Sequence, residues 1–170
     1  MLTIGICGAS GSGKSTLARE LARCINQPSV LLRQDTYYLD HPELSFEERR
    51  ALNFDEPASF DHDALYQDLL ALQAGEPIRE KDYDFALHRR CDANAWLQIT
   101  IVEGIHAFYD PRVRAMMDFK LFVQVDPDIC LLRRIRRDIR DRGRDVDDIS
   151  RQYLDTVKPM YERHIRNYVD

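Results

Sequence analysis

Residues 8–16 read GASGSGKST and follow a short apolar run, LTIGIC. Gly8, Gly13, Lys14 and Ser15 occupy every fixed position of the pattern G-x-x-x-x-G-K-[ST], and Ser10, Gly11 and Ser12 fill its interior. The chemistry this pattern suits is the gripping of phosphates. Glycines let successive backbone N–H groups curl around an anion, and a helix starting near Lys14 would point its N-terminus at it. Lys14 would reach the β- and γ-phosphates, the Ser15 hydroxyl would ligate Mg²⁺, and Thr16 would add a hydroxyl nearby.

Two carboxylates and a run of arginines turn a phosphate grip into a candidate for phosphate transfer. Asp35 and Glu103 each close a short apolar segment, SVLLRQD and LQITIVEG. A carboxylate at the carboxyl edge of a parallel sheet can hold Mg²⁺ through water or accept a proton from an attacking hydroxyl. Arginines stand at 133, 134, 136, 137, 140, 142 and 144, interrupted by Asp138 and Asp141. Such a stretch reads as a solvated helix face, as a nucleic-acid stripe, which the acidic whole argues against, or as a lid over approximately 128–145 that closes on the γ-phosphate, excludes water and neutralises charge in transit. A guanine-nucleotide switch does not fit: no asparagine is followed by Lys, and no glycine has Asp three positions before it.

The elements that must position these groups alternate between strand and helix. Strands are expected at 2–7, 29–35, 97–104 and 119–125. Leu17, Leu21 and Ile25 give the first helix its apolar stripe, and Ser45 with Glu48 has capping-box spacing. Asp61 caps a helix with a Leu65, Leu69, Leu72 stripe that Gly75 ends. Residues 78–92 lack a period and read as a loop or short hairpin. Asp110-Pro111 and Asp126-Pro127 each open a helix, the second running to Gly143. A last helix begins at Asp145 or Asp147, with Ile149, Tyr153 and Val157 on one face and Pro159 dividing or kinking it. The expectation is a single α/β domain over 1–170: a doubly wound parallel sheet of four strands, covered by helices on both faces.

The whole chain carries a net charge of −5 over 170 residues, which argues against nucleic acid as the main partner. It shows no apolar run of membrane length and no basic-then-apolar leader. Its four cysteines, without a C-x-x-C pair, read as reduced thiols of a cytoplasmic protein.

Taken together, GASGSGKST, QDTYY, NFDEPASFD, YDFALHRR, IVEGIHAFYDPRVR, VDPDICLLRRIRRDIRDRGRD and YLDTVKPMYERHI resemble the uridine kinase (uridine–cytidine kinase) family across nearly the whole chain. The resemblance implies ATP or GTP as phosphoryl donor, Mg²⁺, and transfer to the 5′-hydroxyl of uridine or cytidine. It implies Asp35 as general base and Tyr38 lining the site. Asp55 would bind the ribose hydroxyls, Tyr83 and His88 would read the pyrimidine edge, and Phe85 would pack on the ring. Glu103 would stand near Mg²⁺, while Arg134, Arg137, Arg142 and Arg144 would contact phosphate and nucleoside. The family tends to form homo-oligomers. Three departures stand out: Glu56 where the family usually has His, Lys81 where it has Pro, and an end at Asp170, where related chains continue into a fifth edge strand. On the residues alone, a phosphoribulokinase-like or pantothenate-kinase-like enzyme and a nucleotide-binding regulatory protein stay open.

Overall fold

The apolar run behind the glycine loop forms an inner strand, β1 (Leu2–Gly8). In the computed structural model, which describes residues 1–45, 47–48, 52–78 and 98–169, three further strands follow: β2 (Ser29–Arg33), β3 (Ile99–Gly104) and β4 (Phe119–Val123). They pair in the order β2-β3-β1-β4, and every pairing is parallel. Parallel neighbours need crossover connections, and the helices provide them. The crossovers carry α1 (Lys14–Cys24), α2 (His62–Gln73) and α3 (Pro111–Ala115), and after β4 come α4 (Pro127–Arg142), α5 (Val146–Gln152) and α6 (Lys158–Arg163).

Strand residues alternate between two cores. Ile4, Ile6, Ile99 and Ile101 pack with Ala18 of α1 on one face. Cys7 and Val102 pack on the other with Leu65, Leu69 and Leu72 of α2, Val113 of α3 and Met117. With the inner strands β1 and β3 buried on both faces, their carboxyl edge is where polar groups can gather. The connection leaving β1 runs to the β2 side, whereas the one leaving β3 runs to the β4 side. The crevice between β1 and β3 is therefore the switch point at which open α/β sheets take ligands.

Local chemistry sets the element ends as their residue types dictate. Asp61 accepts the Ala64 amide at 2.8 Å and Asp110 accepts that of Arg112 at 2.8 Å. Ser45 and Glu48 cap each other, Glu48 accepting the Ser45 amide at 2.8 Å and Ser45 the Glu48 amide at 3.3 Å.

Three expectations need correction. The stripe of α1 is Ala18, Leu21, Ala22 and Ile25, and Leu17 is 40% exposed, because the i, i+3, i+4, i+7 face meets the sheet and Leu17 lies one residue off it. Asp35 does not end β2: the strand stops at Arg33, and Asp35 sits in a 3₁₀ turn, Gln34–Tyr37. The last helix divides before its proline, through a π-helical turn at Tyr153–Val157 between α5 and α6. Ile149 and Val157 are buried there, and Tyr153 is half-buried. From residue 79 the expected loop or hairpin lies outside the described residues. No described helix is long and apolar enough to cross a membrane.

Leu69 is fully buried and its neighbour Leu70 is 38% exposed, which fixes the rotation of α2 on the sheet. Leu69→Ala is expected to cost about 2–5 kcal/mol of unfolding free energy. Leu70→Ala should cost under about 1 kcal/mol, both read by urea titration.

Candidate active site

Between β1 and α1 the loop bends through left-handed backbone at Gly11 (φ 85°) and Gly13 (φ 99°). A Cβ on Gly11 would run into the Cys130 carbonyl, so the loop is pressed against the first turns of α4 as well as curled on itself. Gly13 is the N-cap of α1 and Lys14 its first residue, which aims the open end of the helix into the loop's concavity. Thr16 lies in the first turn, exposed.

Register carries the next group into place. Ile6 of β1 pairs with Glu103 of β3, and Arg33 of β2 flanks Glu103 on the other side. Glu103 is 3% exposed and accepts the Ser15 hydroxyl at 3.1 Å. Burial raises its carboxyl above the usual range, and Lys14 pulls it back down. Two hard oxygen donors side by side at the phosphate loop fit Mg²⁺, which takes few protein ligands and keeps waters. Asp35 lies within electrostatic reach of Glu103 and is exposed to the cleft.

Asp55 comes from a turn remote in sequence and is 7% exposed. Burial raises its carboxyl, Arg134 opposes that rise, and the Thr156 hydroxyl approaches Asp55 at 3.5 Å. Tyr38 is stacked on Phe60 (ring centroids 4.3 Å) and meets Phe54 edge-on (5.4 Å). Burial, then the charges of Asp35 and Asp55, push its hydroxyl well above its ordinary range. Lys14, Ser15, Asp35, Tyr38, Asp55 and Glu103 thus converge on one cleft. Its side toward α6 is a pocket lined in part by Ser10, Asp55, Cys130, Tyr153, Lys158 and Tyr161. Tyr83, Phe85 and His88 lie outside the described residues.

The arginine stretch is divided: Arg133, Arg136, Arg140 and Arg142 are exposed, Arg137 and Arg144 half-buried, and Arg134 turned inward. Arg134 is buried and donates to Ser10 Oγ (2.8 Å) and Gln152 Oε1 (2.9 Å). Arg133 donates to the Ser12 carbonyl at 3.3 Å, so α4 rests directly on the phosphate loop. Asp138 is wholly buried and draws in four guanidinium groups: Arg137 at 2.7 Å, Arg142 at 3.5 Å, Arg134 at 3.7 Å and Arg144 at 3.8 Å. Gln152 Oε1 accepts from Arg144 (2.6 Å) as well as Arg134. Arg140 stays outside, paired with Asp141.

Sequence reasoning treated Asp138 as an interruption and passed over Gln152. Its spacing carried a signal, because Asp138 falls four residues after Arg134 and four before Arg142 on one helix. Gln152 carried none. His106 was also missed: it is 1% exposed, with Nε2 at 2.7 Å from the Asp55 carbonyl and Nδ1 at 2.8 Å from the Tyr168 hydroxyl. Glu56, one of the departures noted above, faces His164 Nε2 at 3.9 Å. The Cys7 thiol is pushed up to about 12 by burial and stays protonated beneath the site.

Residues 3–170 match the model of the Phosphoribulokinase / Uridine kinase family. The chain is similar to a uridine kinase of Halalkalibacterium halodurans, 42% identical over 176 residues that cover 99% of this chain and 83% of that protein. It is also similar to a uridine kinase of Clostridium perfringens, 41% identical over 164 residues covering 94% and 79%. The solved structure of a D-glycerate 3-kinase from Cryptococcus neoformans var. grubii superposes with a TM-score of 0.63 at 16% identity, over 99% of this chain and 80% of that one, which is a likeness of fold.

Removing the charge of Asp138 leaves its arginines facing one another. Asp138→Asn is expected to lower unfolding free energy by roughly 2–4 kcal/mol, the exposed rims of Arg137 and Arg142 softening the loss. Arg140→Ala should change it by under about 0.5 kcal/mol, both measured by urea titration.

Proposed function

The chain belongs to the Phosphoribulokinase / Uridine kinase family, and we propose that it transfers the γ-phosphoryl group of ATP to the 5′-hydroxyl of a pyrimidine ribonucleoside, uridine or cytidine. The observation that carries this reading is the convergence of Lys14, Ser15, Glu103, Asp35 and Asp55 at one crevice. Around it, the chain is 41–42% identical to uridine kinases over nearly its whole length.

The roles follow from position. The phosphate loop and the open end of α1 cradle the donor's phosphates, with Lys14 on the β,γ side. Ser15 and Glu103 would hold Mg²⁺, which when bound offsets charge on the phosphate oxygens. Asp35, exposed and beside Glu103, suits an incoming hydroxyl. It orients that oxygen and takes its proton as the O–P bond forms and the bond to the leaving ADP oxygen breaks. Proton transfer is a late demand in a loose transition state, so positioning and charge neutralisation do most of the catalysis. The second of these falls to Lys14 and the arginines around Asp138, among which Arg137 and Arg142 are the more exposed.

Asp55 suits the sugar. A largely buried carboxylate can accept from two vicinal hydroxyls at once, and a site built that way rejects a sugar lacking one of them. In this reading Tyr38 lines the ribose, while Tyr83, Phe85 and His88 read the base. The acceptor is then a small nucleoside, with no part for nucleic acid or membrane.

The direct test incubates the chain with ATP, Mg²⁺ and uridine and looks for uridine monophosphate by mass, with a control lacking acceptor. ATP binding without uridine-dependent product would overturn the assignment of the acceptor. Asp35→Asn is expected to lower kcat by roughly 10²–10⁴ while ATP binding stays near wild type. An unchanged kcat would show that Asp35 is not the base. Uridine should exceed 2′-deoxyuridine in kcat/KM by roughly tenfold or more. Equal turnover of the two would remove Asp55 from the ribose.

A further inference from the structure

Asp55 lies on no helix or strand. Its turn is set by short local bonds: the Asp55 amide donates to Asn53 Oδ1 (3.1 Å) and the Glu56 amide to the Asn53 carbonyl (3.1 Å). Turns of this kind leave a side chain some freedom, yet a carboxylate that grips two hydroxyls needs a fixed direction. The long-range contact on its backbone comes from His106, whose Nε2 lies 2.7 Å from the Asp55 carbonyl oxygen.

The chemistry of that contact fixes one proton. A carbonyl oxygen only accepts, so Nε2 carries it. In the neutral ring Nδ1 accepts from the Tyr168 hydroxyl at 2.8 Å. Both ring nitrogens are satisfied with the imidazole neutral. Burial supports that state, lowering His106 to about 4.

His106 is anchored at its own backbone too, for its amide donates to Gln34 Oε1 at 2.8 Å. Gln34 is fully buried and stands next to Asp35, and a Cβ on Gly104 would collide with its side chain. One residue thereby ties together the end of β3 that carries Glu103, the 3₁₀ turn that carries Asp35, and the turn that carries Asp55.

We infer that His106 is a positioning residue for the acceptor, holding the Asp55 turn so that its carboxylate meets the ribose hydroxyls. This rests on the assignment of Asp55 to the sugar made above. His106 touches neither substrate nor reacting atoms. Its effect is confined to acceptor affinity and sugar discrimination, and the donor side is untouched.

The test measures kcat and KM for uridine, 2′-deoxyuridine and ATP in wild type, His106→Leu, His106→Gln and Tyr168→Phe, and repeats His106→Leu in an Asp55→Ala background. His106→Leu is expected to raise KM for uridine roughly tenfold and to shrink the preference over 2′-deoxyuridine. KM for ATP should stay within about twofold. His106→Gln, whose amide can still donate to the Asp55 carbonyl, should recover most of the loss. Tyr168→Phe, which only loosens the ring, should raise KM for uridine about threefold. In the Asp55→Ala background, His106→Leu should have no further effect on uridine, because the group it positions is gone. A folded His106→Leu protein with unchanged uridine KM and preference would overturn the inference. So would a loss of equal size in the Asp55→Ala background, which would mark a purely structural role. If His106→Leu does not fold, an unchanged uridine KM in Tyr168→Phe decides against it. A wild-type chain that makes no uridine monophosphate overturns the acceptor assignment and this inference together. Turnover with normal sugar preference in every His106 variant overturns this inference alone.

Discussion

Asp138 is the residue around which the electropositive side of the cleft is organised. Four guanidinium groups cannot share one partly dry region without a counter-charge, since their mutual repulsion grows as water is removed. The Asp138 carboxylate is buried among them. Its backbone carbonyl takes part as well, accepting the amides of Gly143 and Arg144. Gly143, left-handed at φ 61°, turns the chain back so that Arg144 returns to the carboxylate its helix has just passed. The same cluster docks α4 on the phosphate loop through Arg134 and Ser10. Helix end, loop and cation cluster are therefore one unit.

The three acids opposite this cluster are graded by exposure, and the grading fits the tasks proposed for them. Glu103 is the most enclosed and touches Ser15, which suits a fixed oxygen ligand. Asp55 is nearly as enclosed, balanced by Arg134, and suits hydroxyls that bring no charge of their own. Asp35 faces the cleft openly, where an incoming alcohol can reach it. Sheet register produces much of this grading. Glu103 is walled by neighbouring strands on both sides, whereas Asp35 sits two residues past the end of an outer strand.

Much of the architecture was legible in the sequence because local rules govern it. Capping residues, proline-opened helices and the leucine stripe of α2 are signals within one turn or one face, and the structure follows them. The phosphate loop was legible for the same reason, since all its chemistry lies within nine residues. Where the sequence misled, a longer-range force decided. Leu17 has the right type and spacing for a stripe, but α1 presents Ala18 to the sheet because a small side chain allows close approach. Asp138 read as a break in a charged run because burial, which makes it a hub, is a property of the fold. His106 and Gln152 act through partners tens of residues away or on another helix, and no spacing rule reaches that far.

In the proposed reading, the acceptor side depends on contacts of this long-range kind more heavily than the donor side does. The donor's grip is built from consecutive residues and would form wherever β1 and α1 form. The acceptor's grip joins a turn near residue 55, the end of β3, the turn after β2 and, through Tyr168, the last 3₁₀ turn at Ile165–Val169. Segments so distant in sequence come together only when the whole sheet is assembled. Weakening the packing anywhere along that chain of contacts should therefore loosen the sugar before it loosens the nucleotide. A fold that carries its phosphate grip locally can change its acceptor by altering these remote contacts, leaving the phosphate loop as it is.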